Sequence, residues 1–175
     1  MRITFQGYAG DCTIDGEIDI ESARLSDALD KMDEVVIHDA TLHSLGDGRQ
    51  MHAGEMKLLR DDLFLIEGQG GGSQGNEQRR VRTVRHALRV QLGPYTCFGE
   101  LHALPGVAPL RTLLVRRTMV PLTNCLLHFR RAGRDEFRRM PLLIVNGRQI
   151  EHVEEATTEQ LENEMATLGE AGHPA

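Results

Sequence analysis

The chain has no tryptophan and few other aromatic side chains, only two tyrosines and five phenylalanines in 175 residues. A stacking platform of the sort that grips unpaired nucleic-acid bases would therefore be thin. Cysteine is scarce too: Cys12, Cys97 and Cys125 stand at unrelated spacings and form no C-x-x-C pair. That argues against a disulfide framework and leaves three small apolar side chains in a reducing compartment. Nothing approaches the run of about 18 apolar residues that a membrane-spanning helix needs, so no membrane association is expected. The opening M-R-I-T-F-Q-G-Y has no apolar segment ending at a small-residue cleavage site, which predicts no secretory signal and a cytoplasmic protein.

What is present is charge, unevenly distributed. The net charge is −6. Residues 1–68 carry six Lys or Arg against fifteen Asp or Glu, a balance of −9. Residues 79–148 carry fourteen Arg against three acids, +11, and from residue 149 onward there are seven acids and no Lys or Arg. The order is acidic, basic, acidic.

The apolar skeleton also repeats. Sliding residues 24–45 by 85 positions lays Leu25 on Leu110, Leu29 on Leu114, Ile37 on Leu122, Leu42 on Leu127 and His43 on His128. We read an internal duplication, two modules of about 65 to 70 residues. A module that small is marginal by itself, so the two are expected to pack together.

Period-two alternation predicts strands at residues 2–8 and 12–20, joined by a turn at Gly10-Asp11. Residues 23–32 read as a short helix with Leu25, Ala28, Leu29 and Met32 on one stripe. The third strand, 34–45, contains a fault: Val35 and Ile37 share one parity, Ala40 and Leu42 the other. The second copy repeats it with Val120 and Leu122, then Cys125 and Leu127. A strand buries both sets on one face only if its pleat slips, which predicts a bulge or bend at His38-Asp39 and at Thr123-Asn124. Strands at 50–59 and 63–67 complete the first module.

Residues 69–78 (Q-G-G-G-S-Q-G-N-E-Q) read as a flexible linker, without the Lys-Ser/Thr of a phosphate loop. The second module, 79–153, repeats the order with strands at 84–92, 95–104, 119–130, 135–145 and 149–153, a helix over 107–117, and Asn146-Gly147 as a two-residue hairpin turn. The acidic tail, 154–175, reads as disordered or as a weak helix with Leu161, Met165 and Leu168 on one stripe. The fold expected is thus mainly β: two tandem five-stranded barrel-like or folded-sheet modules, each with one short helix after its second strand.

With R-L-S-D-A-L at 24–29, D-A at 39–40 and G-D-G-R at 46–49, the first copy resembles a poorly characterised bacterial family of small β-rich domains. The resemblance implies a small β-rich fold and no assigned activity. In the second copy Arg24-Leu25-Ser26-Asp27 becomes Pro109-Leu110-Arg111-Thr112, and Asp39-Ala40 becomes Asn124-Cys125, so only the apolar skeleton persists. Arg24 with Asp27 reads as a helix-start ion pair and Asp39 as a bend residue.

No pattern points to catalysis, metal or cofactor. His38, His43 and His52 lack zinc-ligand spacing, Ser26, Ser44 and Cys97 sit in no nucleophile motif, and Asp61-Asp62 falls in a turn. Arg85 and Arg89 give the R-x-x-x-R half of a PilZ-type cyclic-dinucleotide motif, but no D/N-x-S-x-x-G follows. The remaining signal is arginine: Arg79, Arg80, Arg82, Arg85, Arg89, Arg116, Arg117, Arg130, Arg131, Arg134, Arg138 and Arg139 are candidates for holding nucleic acid or another polyanion. The reading favoured is a non-enzymatic binding or assembly module. Its oppositely charged halves are expected to dock on each other or pair copies into a homo-oligomer, with a protein partner as a further expectation.

Overall fold

The computed structural model describes residues 1–22, 24–68, 82–115 and 119–171. The expected linker at 69–78 lies outside them, as do Arg79, Arg80, Arg116 and Arg117. The elements run β1 (Arg2–Ala9), β2 (Cys12–Asp19), α1 (Leu25–Lys31), β3 (Glu34–Ser44), β4 (Gln50–Leu59), a 3-10 turn (Arg60–Asp62) and β5 (Leu63–Glu67). After the break come β6 (Val84–Leu92), β7 (Tyr95–Ala103), α2 (Pro109–Val115), β8 (Met119–Arg131), β9 (Arg134–Asn146), a 3-10 turn (Gly147–Gln149), β10 (His152–Glu155) and α3 (Thr158–Ala171).

Among the described residues the strands join in one antiparallel sheet of ten, in the order β10-β6-β7-β8-β9-β5-β1-β2-β3-β4. This corrects the expectation of barrels: the sheet is open, because β5 does not turn back to β4 but pairs with β9, Leu65 opposite Val145 and Ile66 opposite Ile144. Within each half the wiring is alike. The first four strands follow one another as neighbours, and the fifth lies on the far side of the first, β5 on β1 and β10 on β6.

Both pleat faults lie where the change of parity requires them. Asp39 and Asn124 have left-handed backbones, φ 49° and 51°, a conformation that Asp and Asn tolerate better than most residues. The ladder to the preceding strand slips there, between Asp15 and Glu17 in one half and between Phe98 and Glu100 in the other. The slip turns Val35, Ile37 and Ala40 into one core, and Val120, Leu122, Cys125 and Leu127 into the other. At the β8–β9 hairpin Ala132 and Gly133 are both left-handed, φ 48° and 76°, the twist that a tight hairpin needs.

Asn146-Gly147 is not the hairpin turn expected. The side of β9 on which β10 would return is taken by β5, so the chain leaves through the 3-10 turn and crosses to β6. Asn146 is buried instead, its amide donating to the Leu63 carbonyl at 2.9 Å and its carbonyl accepting from the Arg148 N–H.

Each half also contributes to the other's core. Tyr8 and Leu65 pack among Leu88, Tyr95, Phe129 and Val145, while Met119 and Ile144 pack among the first half's Ile18, Leu29 and Ile66. Tyr8 meets Tyr95 and Phe129 edge-on, with ring centres 5.6 and 5.9 Å apart, and the Tyr95 hydroxyl donates to the Ala9 carbonyl. Burial pushes the Tyr8 hydroxyl up to about 12, and burial likewise raises Tyr95. An unfolded tyrosine loses its proton near pH 10, so above that pH the unfolded chain binds fewer protons than the folded one and stability falls. The guanidinium midpoint is therefore expected to drop between pH 10 and 12, with a shallower drop in Tyr8→Phe. A midpoint flat across that range contradicts this burial.

The C-terminal segment forms the helix α3. Thr157 accepts from the Gln160 N–H at 3.0 Å, and the Gln160 side chain accepts from the Thr157 N–H at 2.8 Å. This reciprocal cap starts the helix, and T-x-x-Q was its legible signal. The side chains of Leu161, Met165 and Leu168 lie outside the description.

Candidate functional site

Because β4 ends the sheet, the inner face of the first half is open on that side. The ladders place Met56 opposite Ile37 and Leu58 opposite Val35, as Leu143 stands opposite Leu122 and Val145 opposite Val120 in the second half. Leu143 and Val145 are fully buried beneath β5, whereas Met56 and Leu58 are only partly covered and Lys57 is exposed. The result is a cleft of about 1490 Å³ whose lining includes Ile14, Leu42, Met51, Leu58 and Phe64 together with the charged Asp11, Asp47, Arg49, Asp62 and Arg130. Met51 and Leu59 of β4 are 63% and 54% exposed, a cost in water that an uncovered apolar edge carries until something covers it.

The cleft's polar groups do not converge. Asp47 pairs with Arg49 at 3.1 Å, and hydrogen bonds from Ser44 and the Arg49 backbone hold its carboxyl below the usual range. Cys12, at one wall, has its thiol pushed up to about 11 by burial, so it stands protonated at neutral pH and is a poor nucleophile. Cys97 and Cys125 are buried in the second core, where a hydrogen bond with Cys125 and burial raise the Cys97 thiol well above its ordinary value.

The histidines are dispersed over the outer face of the first half: His38 lies 3.4 Å from Asp19, His43 2.8 Å from Asp15, and His52 accepts or donates at Thr41. Among the described residues no three His, Cys, Asp or Glu side chains are grouped to hold a metal ion. His43 and His128 do occupy like places, each beside an aspartate, Asp15 and Asp135.

The candidate arginines are not gathered into one patch. Arg85 and Arg89 project from the outer face of β6, where Glu100 and Glu154 pair with them at 3.7 and 2.9 Å. Arg130 is paired with Asp135. Arg131 and Arg138, expected as surface cations, turn inward to the junction: each lies over the Phe129 ring, Arg131 donates to the Thr13 hydroxyl at 2.9 Å, and Arg138 donates to the Tyr8 hydroxyl at 3.3 Å. Glu136 sits between them, and the Arg131 Nε, 3.2 Å from it, is out of line for a hydrogen bond. Arg82, just before β6, and Arg134 and Arg139, both on β9, are exposed.

Nor do opposite charges dock the halves. Among the described residues one ion pair joins them, Arg148 with Asp61. The junction is held by the β5–β9 ladder, the shared cores, and bonds such as Met119 N–H to Asp30 and Ala132 N–H to the Leu45 carbonyl. Asp30 and Tyr8, both important at this seam, gave no sign in the sequence, since neither belongs to a motif.

A second groove, about 590 Å³, runs over the outer face of β7–β9 beneath α3. Arg89 stands over Phe98, and His128 stacks on Phe137 at 4.5 Å, but Glu154, Glu155 and Glu164 face that single arginine. An anion is disfavoured there.

Of the repeat positions, Leu29, Ile37, Leu122 and Leu127 are core residues, while Leu25, Leu42 and Leu110 are partly buried against it. The Leu114 side chain lies outside the description. Arg24 and Asp27 are exposed and pair neither with each other nor with any other described residue, correcting that expectation, whereas Asp39 is the bend residue. Compared with known proteins, the chain matches no family model, no curated protein and no solved structure. Among the described residues no helix is long and apolar enough to cross a membrane.

Proposed function

We propose that the chain is a non-enzymatic binding module, built by doubling a small β-rich domain, whose working surface is the apolar cleft beside β4. One observation carries this reading: equivalent positions are sealed by β5 in the second half and left open in the first. Domain doubling explains why like wiring and like pleat slips occur twice, and the R-L-S-D-A-L resemblance belongs to the same reading. The occupant follows from the lining, in which the apolar Ile14, Leu42, Met51, Leu58 and Phe64 stand beside charged side chains, as in many protein-binding grooves.

Polyanion binding has less behind it, since most of the described arginines already have carboxylate, hydroxyl or ring partners. Cyclic-dinucleotide sensing has less again, because Arg85 and Arg89 each face a glutamate.

An apolar dye tests the cleft directly. Native protein is expected to light up anilinonaphthalene sulfonate, and Met51→Glu to reduce that fluorescence several-fold while changing stability by no more than about 0.5 kcal/mol, as suits an exposed position. A dark native protein, or a Met51→Glu variant that binds dye as before, contradicts the cleft as the working surface.

A further inference from the structure

We infer that the open edge of β4 accepts an extended strand of another protein, paired antiparallel with Met56–Leu58 in the place that β5 takes on β9. This rests on the cleft being the working surface and names what fills it.

The chain contains its own example of the fit. On β9 the strand received is β5, with Leu65 opposite Val145, Ile66 opposite Ile144 and Glu67 opposite Leu143. All five aliphatic side chains among these are buried at the seam: Leu65, Ile66, Leu143, Ile144 and Val145 are at most 1% exposed. The ladders make Met56, Lys57 and Leu58 the counterparts of Leu143, Ile144 and Val145. An unpaired edge of backbone N–H and C=O groups beside apolar side chains is what strand addition uses, backbone bonds giving affinity and alternate side chains giving selection. Here the selecting residue is Lys57, standing where Ile144 stands at the seam. The incoming strand should therefore be aliphatic at the flanking positions and acidic opposite Lys57.

A second copy of this chain does not meet that description. Among the described residues its free edges are β4, which paired symmetrically about Lys57 would set lysine against lysine, and β10. In β10 Val153 is the counterpart of Ile66: each pairs with the residue three before the turn glycine, Val90 before Gly93 and Gly7 before Gly10. Docked in the seam's register, Val153 would face Lys57 and Glu155 would face Glu55. Like charges opposite each other oppose pairing, and a lysine at an edge is a common guard against it. The occupant is thus a strand of different sequence.

The probe is a synthetic peptide copying residues 61–68 with Ile66→Glu and Glu67→Leu, titrated into the isotope-labelled whole chain and followed by amide resonances. Saturable shifts are expected along Glu55–Leu59 and at Met51. Lys57→Glu should weaken binding about tenfold, the swing between opposite and like charge across a strand pair, and a peptide with Ile66→Lys and Glu67→Leu should restore it on that variant. Absence of shifts at millimolar peptide, shifts located on β9, or indifference to the charge swap overturns the proposal. So do β4 shifts that appear on concentrating the chain without peptide, which assign the edge to a second copy. Dye binding in the cleft with no peptide pairing rejects the strand alone and leaves the cleft standing.

Discussion

Leu65→Asp is expected to destabilise the chain by about 3–5 kcal/mol, the range for an uncompensated buried charge, and to lower the guanidinium midpoint of the whole molecule. Leu65 is a first-half residue fully buried in the second half's core, with Tyr8 across one ladder and Val145 across the other. An aspartate there has no basic partner within the apolar cluster and would have to be buried neutral or draw water into the seam. Because the whole of a domain's stability is about 5–15 kcal/mol, this one change removes a large part of it. A conservative Leu65→Val should cost about 1 kcal/mol, the scale of losing a methyl group in a core. A Leu65→Asp loss under 1 kcal/mol would mean that the halves do not share this core.

Gly16→Ala carries the second large effect. A Cβ at Gly16 would lie 2.5 Å from the Ile37 Cγ2 and 2.7 Å from the His38 carbonyl oxygen. The second contact is with backbone on the far side of the pleat slip, which cannot move without resetting the register that buries both apolar sets of β3. The expected loss is about 3 kcal/mol, at the upper end of overpacking effects. Gly99 holds the equivalent place, but its nearest neighbour is the Cys125 Sγ at 2.8 Å, followed by Leu122 Cβ at 3.2 Å. A thiol gives way more easily than a carbonyl, so Gly99→Ala should cost about 1–2 kcal/mol. Gly54 has no atom within 4 Å of an added Cβ, and Gly54→Ala is the control, expected to be neutral or slightly stabilising. Equal losses at Gly16 and Gly54 in denaturant unfolding would remove the slip as the source of the effect.

Where the chain's pattern is local, it was readable. The two slips followed from the parity of Val35, Ile37, Ala40 and Leu42 and of their echoes, because a buried face admits only one set of side chains at a time. In the tail the apolar stripe is a weak signal, and the legible one is Thr157 with Gln160, whose reciprocal hydrogen bonds start α3. The way the halves meet was not readable. Periodicity tells which face of β5 is apolar but not which edge it seeks, and the pairing of Ile66 with Ile144 bridges residues 78 positions apart. Asn146-Gly147 shows the consequence: the dipeptide favours a hairpin, yet β5 already lies where the returning strand would go. Charge misled in the same way. The contrast between −9 and +11 suggested docking by ion pairs, but Arg131 and Arg138 reach Thr13 and Tyr8 while Glu136 neutralises them from within their own half. The cleft could not be anticipated at all, since Met56 and Leu58 alternate just as Leu143 and Val145 do and only the neighbour of the strand separates them.

The most direct trial of the joined sheet is a set of cross-strand nuclear Overhauser contacts between β5 and β9. One continuous sheet gives contacts linking Leu65 with Val145 and Glu67 with Leu143, with the ladder amides of β5 protected from exchange as well as those of β1. A spectrum lacking those contacts, in which β5 and residues 143–145 exchange as quickly as the open edge of β4, would contradict it.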